Sequence, residues 1–250
     1  MISLYWTYQK FQKIMKFFWL DIAIKKTIKH KVWYESIFPY ASYAPWLIDD
    51  DFKKTFKMIE NYSLVDKYRC YELRELVWES AKLSQWSLIE IWARRWWSAA
   101  LIAKKALLSN INEKTYICDT FTWVVKATDH DSSYIGGEHA DTSKKTAEEI
   151  VNQLNLKNIE FLVWVFPEDT WNKIENEKFR FCHIDVDVYQ SAKDCVERIW
   201  PKLVSWGMIV FDDYWFITCD GIVTLMKEER LKQDRIIIHN LNGHAIIVKL

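Results

Sequence analysis

Near its C-terminus the chain reads Arg235-Ile236-Ile237-Ile238-His239, Asn240-Leu241-Asn242-Gly243, then Ala245-Ile246-Ile247-Val248-Lys249-Leu250. Two runs rich in β-branched residues around an Asn-Gly turn predict a β-hairpin. What comes before the hairpin gives it meaning. Apolar runs at Ser87–Ile91, Thr115–Phe121, Ile159–Phe166, Phe179–Val186 and Met208–Tyr214 read as strands. Between them, helical patterns cover Ser98–Leu108, Ser143–Leu154 with Thr142 or Ser143 as N-cap, about Gln190–Leu203, and about Gly221–Leu231. Residues 122–142 are polar and contain Gly136-Gly137-Glu138-His139, a loop suited to a lid. Alternating strands and helices that end in a hairpin predict an α/β fold. Its doubly wound sheet is mostly parallel, and its last strand runs against the rest.

Upstream, residues 1–83 read as a helical cap and 84–250 as the α/β domain. Asp49, Asp50 and Asp51 can cap a helix through Asn61 that carries Phe52, Phe56 and Ile59 on one face. A second helix, about Leu64–Leu83, has Leu73, Leu76, Val77 and Ala81 as its apolar stripe. Lys+Arg and Asp+Glu balance at 34 each, which argues against nucleic acid or an anionic membrane as partner. The apolar patch Ile14–Leu20 is interrupted by Lys16 and followed by Asp21, too short and too charged for a membrane span. Five scattered cysteines (Cys70, Cys118, Cys182, Cys195, Cys219) without a C-x-x-C pair read as buried thiols of a cytoplasmic protein.

The composition conflicts with such a fold. There are 5 Gly and 15 Trp, whereas average usage would give roughly 17 Gly in a chain of this length. Trp92, Trp96 and Trp97 fall in a strand-to-helix turn, Trp206 precedes Gly207 just before a strand, and Trp215 follows one. These are places for a residue without a Cβ. The expectation is that several of these letters are glycines in the cell, encoded by UGA codons read as glycine and mistranslated as tryptophan.

Ligands of doubly wound sheets bind beyond the C-terminal strand ends, and three acidic features lie there. Glu90 ends the first strand and leads into Trp92-Ala93-Arg94-Arg95-Trp96-Trp97-Ser98, which becomes a Gly-rich turn if 92, 96 and 97 are Gly. Read literally, three indoles fill that space. Asp119 ends the second strand, where one carboxylate can accept both hydroxyls of a ribose. Asp185 and Asp187 end one strand, Asp212 and Asp213 the next. Four carboxylates so close repel one another and cannot all stay ionised without a cation. Hard oxygen donors suit Mg²⁺ or a similar ion. The histidines at 130, 139, 183, 239 and 244 show no ligand spacing and read as structural.

These residues resemble the macrocin O-methyltransferase family. The resemblance rests on Leu88-Ile89-Glu90-Ile91 with its turn, Cys118-Asp119-Thr120-Phe121, Asp185-Val186-Asp187-Val188-Tyr189-Gln190-Ser191, Pro201-Lys202-Leu203, and Phe211-Asp212-Asp213-Tyr214. Tyr43-Ala44-Pro45-Trp46 and Gly136–Ser143 are similar too, so the likeness runs from about residue 43 to the end. It implies a Rossmann-like class I methyltransferase fold, S-adenosylmethionine as methyl donor, and Mg²⁺-dependent transfer to a hydroxyl, often on a sugar. Asp185, Asp212 and Asp213 would hold the metal and Asp187 would be the general base. Glu90, Trp92, Trp96, Ser98, Asp119, Thr120 and Ser143 would line the cofactor site. Trp at 92, 96, 97, 123, 164, 206 and 215 departs from the pattern, where Gly is expected. If those tryptophans are genuine, the alternative is a non-catalytic binding protein with a blocked cofactor site. A nucleotide-dependent oxidoreductase has no use for four clustered aspartates. The acceptor's identity stays open, as does a homo-oligomeric state.

Overall fold

The computed structural model describes residues 42–61, 63–83, 85–92, 97–120, 124–137 and 144–250. Several readings lie outside these residues: the apolar patch Ile14–Leu20, the side chain of Trp92, and Trp96, Trp123, Glu138, His139, Thr142 and Ser143.

Two helices open the described chain, α1 (Asp50–Ile59) and α2 (Lys67–Ser80). Each starts at an aspartate whose carboxylate accepts first-turn N–H groups. Asp49 accepts from Phe52 at 2.9 Å, and Asp66 from Tyr68 at 2.8 Å and Arg69 at 3.2 Å. Then come β1 (Ser87–Trp92), α3 (Trp97–Leu108), β2 (Thr115–Asp119), α4 (Lys144–Gln153) and β3 (Ile159–Val163). β4 (Phe179–Asp185), α5 (Tyr189–Ile199), β5 (Leu203–Phe211) and α6 (Asp220–Glu229) follow, and β6 (Arg235–His239) and β7 (Ala245–Lys249) form the hairpin.

The seven strands lie in the order β3-β2-β1-β4-β5-β7-β6. The first five are mutually parallel, and β7 runs antiparallel to both β5 and β6. This is the doubly wound sheet with a terminal hairpin that the sequence predicts. The chain order reverses between β1 and β4, which opens a crevice at their C-terminal ends.

Alternate strand residues feed two cores. Leu88, Phe181, Val210 and Ile246 pack with Leu73 and Val77 of α2 and Ile102 of α3. Ile89, Ile91, Cys182, Ile184 and Ile209 pack on the other face with Val196 of α5 and Leu225 of α6. Helix α2 thus shares a core with the sheet, and Ala41–Leu250 forms one compact unit. All five cysteines are buried free thiols. Among the described residues no helix is long and apolar enough to cross a membrane.

Several strand boundaries differ from the sequence reading, and β5 ends at Phe211 instead of Tyr214. β2 ends at Asp119, short of Phe121. β3 stops at Val163 because Trp164 takes φ +99°, which turns the chain out of the sheet. β5 begins at Leu203, not Met208: its pairing with β4 jumps from Phe179–Leu203 to Phe181–Met208, so the intervening residues bulge. Trp206 lies within that bulge, at φ +64°, instead of ahead of the strand.

Candidate active site

The pairing register gathers the acidic strand ends. Trp92, the last residue of β1, pairs with Asp119 on one side and Asp185 on the other. The C-terminal end of β1 therefore lies between Asp119 of β2 and Asp185 of β4. Asp212 and Asp213 leave β5 beside Asp185, and Asp212 N–H donates to Ile184 O at 3.0 Å. Carboxylate oxygens of Asp185, Asp212 and Asp213, one from each, lie within 4.8 Å of one another, and all three residues are buried. This separation and the all-oxygen donor set fit a hard divalent cation.

Their electrostatic states diverge. Burial pushes the Asp185 carboxyl well above the usual range, and the charges of Asp213, Asp212 and Asp187 push it further. Burial acts likewise on Asp213, reinforced by Asp187 and Asp212. Burial would also raise Asp212, but the charge of Arg69, the nearby His183 imidazole and the hydrogen bond with His244 outweigh it and hold the group well below its ordinary value. The protein supplies its own cation to Asp212, and the uncompensated pair is Asp185 and Asp213.

Arg69 comes from α2, and its Nη1 bonds Oδ2 of Asp212. His244, in the turn before β7, places Nε2 3.0 Å from Asp212 Oδ1, while its Nδ1 lies 2.6 Å from Glu72 Oε2. His183 Nε2 is 3.6 Å from Asp212 Oδ1, and its Nδ1 is 2.7 Å from Glu90 Oε1. Ser98 Oγ donates to that same Glu90 oxygen at 2.6 Å. A buried polar chain therefore links the metal-type acids to the foot of the turn after β1. Glu90 Oε2 is buried with no partner among the described residues, which leaves an acceptor for a bound group in that turn.

Asp187 sits one turn beyond β4, at φ +62°, with its N–H donating to Asp213 Oδ2 at 3.1 Å. Tyr134 Oη donates to Asp187 Oδ1 at 2.8 Å. Burial, helped by the charge of Asp187, raises the Tyr134 phenol strongly and keeps it protonated as a donor.

A cleft opens at the strand ends, with Ile91, Cys118, Thr120, Trp164, Val186 and Ser191 in its wall. Of the residues expected to line a cofactor site, Thr120 faces this cleft, and Glu90, Ser98 and Asp119 are buried beneath the strand ends. The Trp97 indole is 3% exposed in the core cluster that includes Phe52, Ile59 and Ile117.

The sequence reading does not single out Arg69, Glu72 or Tyr134, and His244, which reads there as structural, here contacts Asp212. One signal existed for Arg69, which lies four residues before Leu73 and so falls on the apolar stripe of α2, where an unpaired charge is costly.

A model of the Macrocin-O-methyltransferase (TylF) family matches residues 59–243. No curated protein sequence matches the chain. Among solved structures, "Crystal Structure of CalS11, Calicheamicin Methyltransferase" is similar at TM-score 0.62 and 13% identity, over 83% of this chain and 94% of that one. The O-methyltransferase NovP is similar at TM-score 0.57 and 17% identity, over 75% of this chain and 82% of that one. An O-methyltransferase from Bacillus cereus, solved in complex with SAH, gives TM-score 0.51 and 16% identity, over 81% and 91%. At such identities these structures speak for the fold, which is that of class I methyltransferases.

Proposed function

The chain belongs to the macrocin O-methyltransferase family, and we propose that it transfers the methyl group of S-adenosylmethionine to a hydroxyl of a sugar or another small metabolite with the help of a divalent cation such as Mg²⁺. The observation that carries this reading is the convergence of Asp185, Asp212 and Asp213 beside Asp187 at the crevice of the sheet. When bound, the sulfonium cofactor supplies an electrophilic methyl, and the cation lowers the pKa of the acceptor hydroxyl.

The chain's own residues do the rest. Asp185 and Asp213, buried and mutually repelling, would hold the ion together with Asp212, whose orientation Arg69 and His244 fix. Asp187 would take the acceptor's proton as its oxygen attacks the methyl carbon. A base at this step is worth about 10²- to 10⁴-fold in rate. Glu90, Ser98, Asp119 and Thr120, with Trp92, Trp96 and Ser143, would line the cofactor site. We further propose that the residues at 92, 96, 164 and 206 are glycine in the protein as the cell makes it. Trp164 and Trp206 support this through their positive φ angles and indoles that are 59% and 60% exposed.

The decisive experiment is titration calorimetry of S-adenosylmethionine on protein with glycine at 92, 96, 164 and 206. Binding in the micromolar range is expected, and no detectable heat would sink the methyltransferase reading. On that protein Asp187→Asn should reduce kcat by about 10²-fold or more while leaving cofactor binding in place. Equal losses in both would remove Asp187 from the role of base. Codons settle the tryptophans separately: UGG at 92, 96, 164 and 206 ends the glycine proposal.

A further inference from the structure

Asp187 presents a problem of chemical identity. An oxygen of its carboxylate lies within 4.8 Å of an Asp213 oxygen and of Cys219 Sγ, so it is as close to the acidic cluster as a ligand would be. A carboxylate on a rotatable side chain next to a dication gains by binding it, and each added charge tightens such sites. Bound to the ion, Asp187 would no longer be available to accept a proton from an acceptor hydroxyl.

We propose that Tyr134 is a positioning residue that holds the Asp187 carboxylate off the cation and so reserves it as the base, an inference that rests on the metal-dependent reading above. The phenol donates to Asp187 Oδ1 at 2.8 Å, a charge-assisted bond in a half-buried site. The backbone of Asp187 is pulled the other way. Its N–H donates to Asp213 Oδ2, and Val188 N–H closes back on Val186 O at 2.7 Å, a three-residue turn with Asp187 at its centre and φ +62°. Backbone toward the ligand acid and side chain toward the tyrosine is the division the role requires.

Tyr134 can act as an anchor because its own loop is pinned. Gly137 N–H donates to Val124 O at 3.0 Å and closes the loop on itself. Asp131 accepts from Thr128 N and Oγ1 through one oxygen, and from Tyr189 N at 2.9 Å through the other, which fastens the loop to the first turn of α5. Ser132 N–H donates to Asp220 Oδ1 at 3.1 Å, which fastens it to the first turn of α6. The loop therefore spans two helix N-termini and delivers Tyr134 to one oxygen of Asp187.

Mn²⁺ serves as the probe, with the full chain and no acceptor. Its dissociation constant and EPR spectrum are measured for wild type, Tyr134→Phe, Asp187→Asn and the double variant. Phe keeps the ring and removes only the hydroxyl. Released from Tyr134, Asp187 should swing onto the ion, so Tyr134→Phe is expected to bind Mn²⁺ about 5- to 10-fold more tightly with a changed EPR spectrum. Asp187→Asn should weaken binding by less than about 10-fold, since one charge near the ion is lost but no ligand is, and the double variant should match Asp187→Asn. A Tyr134→Phe constant within about twofold of wild type overturns the inference alone. So does a sharp loss of affinity in Asp187→Asn, since Asp187 would then already be a ligand. Folded wild-type protein that binds no Mn²⁺ overturns the metal-dependent reading and the inference together.

Discussion

Arg69 lays its guanidinium on the carboxylate of Asp212, 143 positions further along the chain. The group is held from several sides: Nη1 also donates to Asp212 O at 3.4 Å, Nε to Asp66 Oδ2 at 2.9 Å, Nη2 to Leu64 O at 3.3 Å, and the Phe216 ring lies 4.7 Å away. Both charges are buried, so removing Arg69 strips Asp212 of its main counter-charge. Arg69→Met should therefore lower unfolding free energy by about 3–5 kcal/mol in chelator, and saturating Mg²⁺ should restore part of it. Urea unfolding with and without Mg²⁺ measures both. A loss below about 1 kcal/mol, the size of a surface pair, would mean that Arg69 is not the counter-charge.

His183 gives the metal-free protein a pH signature. Burial alone would lower the imidazole's pKa, yet its contacts with Asp212 and Glu90 push it from 6.5 up to about 9. A raised folded-state pKa means the folded protein binds the proton more tightly than the unfolded chain. The contribution is then full below pH 6.5 and is lost as pH rises through about 9. A shift of this size corresponds to a loss on the order of 3 kcal/mol across that window. Melting temperature in chelator should fall between pH 6.5 and 9, and His183→Gln should flatten the fall. A flat wild-type profile would rule out the charged imidazole.

Trp164 and Trp206 make opposite predictions from ordinary tryptophans, whose loss usually costs stability. At φ +99° and +64° each holds a backbone conformation that L side chains rarely adopt. Their indoles are 59% and 60% exposed, so little apolar burial is forfeited on removal. Relief of a strain of order 1–3 kcal/mol should exceed what is lost. Trp164→Gly and Trp206→Gly are each expected to raise the melting temperature by a few degrees. A fall for either one would show that the indole at that position earns its place.

How much of this was legible in the sequence follows from range. Strand-ending acids such as Asp119, Asp185 and Asp212 could be read because a strand's end and its chemistry sit in one short window. β6 and β7 were read within a residue because the Asn-Gly turn brackets two uninterrupted runs. In the sequence β5 starts at Met208 because Ser205-Trp206-Gly207 looks like a turn ahead of a strand, whereas it forms a bulge inside one. Arg69 and Glu72 are not singled out, and His244 reads only as structural, because their partners lie on elements distant in the sequence that meet only in the fold. Tyr134 sits in a loop with no periodicity, where nothing local distinguishes an anchoring phenol from a solvated one.

Gly221 tests whether that loop is anchored as tightly as its hydrogen bonds imply. It lies in the first turn of α6, where replacing glycine by alanine ordinarily stabilises a helix by roughly 0.5–1 kcal/mol. Here an added Cβ would lie 2.0 Å from Asp131 Oδ1 and 3.0 Å from both Tyr189 Cβ and Tyr189 N. The obstructed oxygen is the one that accepts from Tyr189 N–H, so the side chain cannot yield without giving up its hold on α5. Gly221→Ala should thus reverse the usual sign and destabilise by about 1–3 kcal/mol. Amide exchange across residues 124–137 should quicken, because the loop loses the attachment of Asp131 to α5. With the loop loosened, Tyr134 holds Asp187 less firmly, so Mn²⁺ binding should move in the same direction as in Tyr134→Phe. A Gly221→Ala protein with a raised melting temperature and unchanged exchange would show that Asp131 has room to move, and that the anchor holding Asp187 must be sought elsewhere.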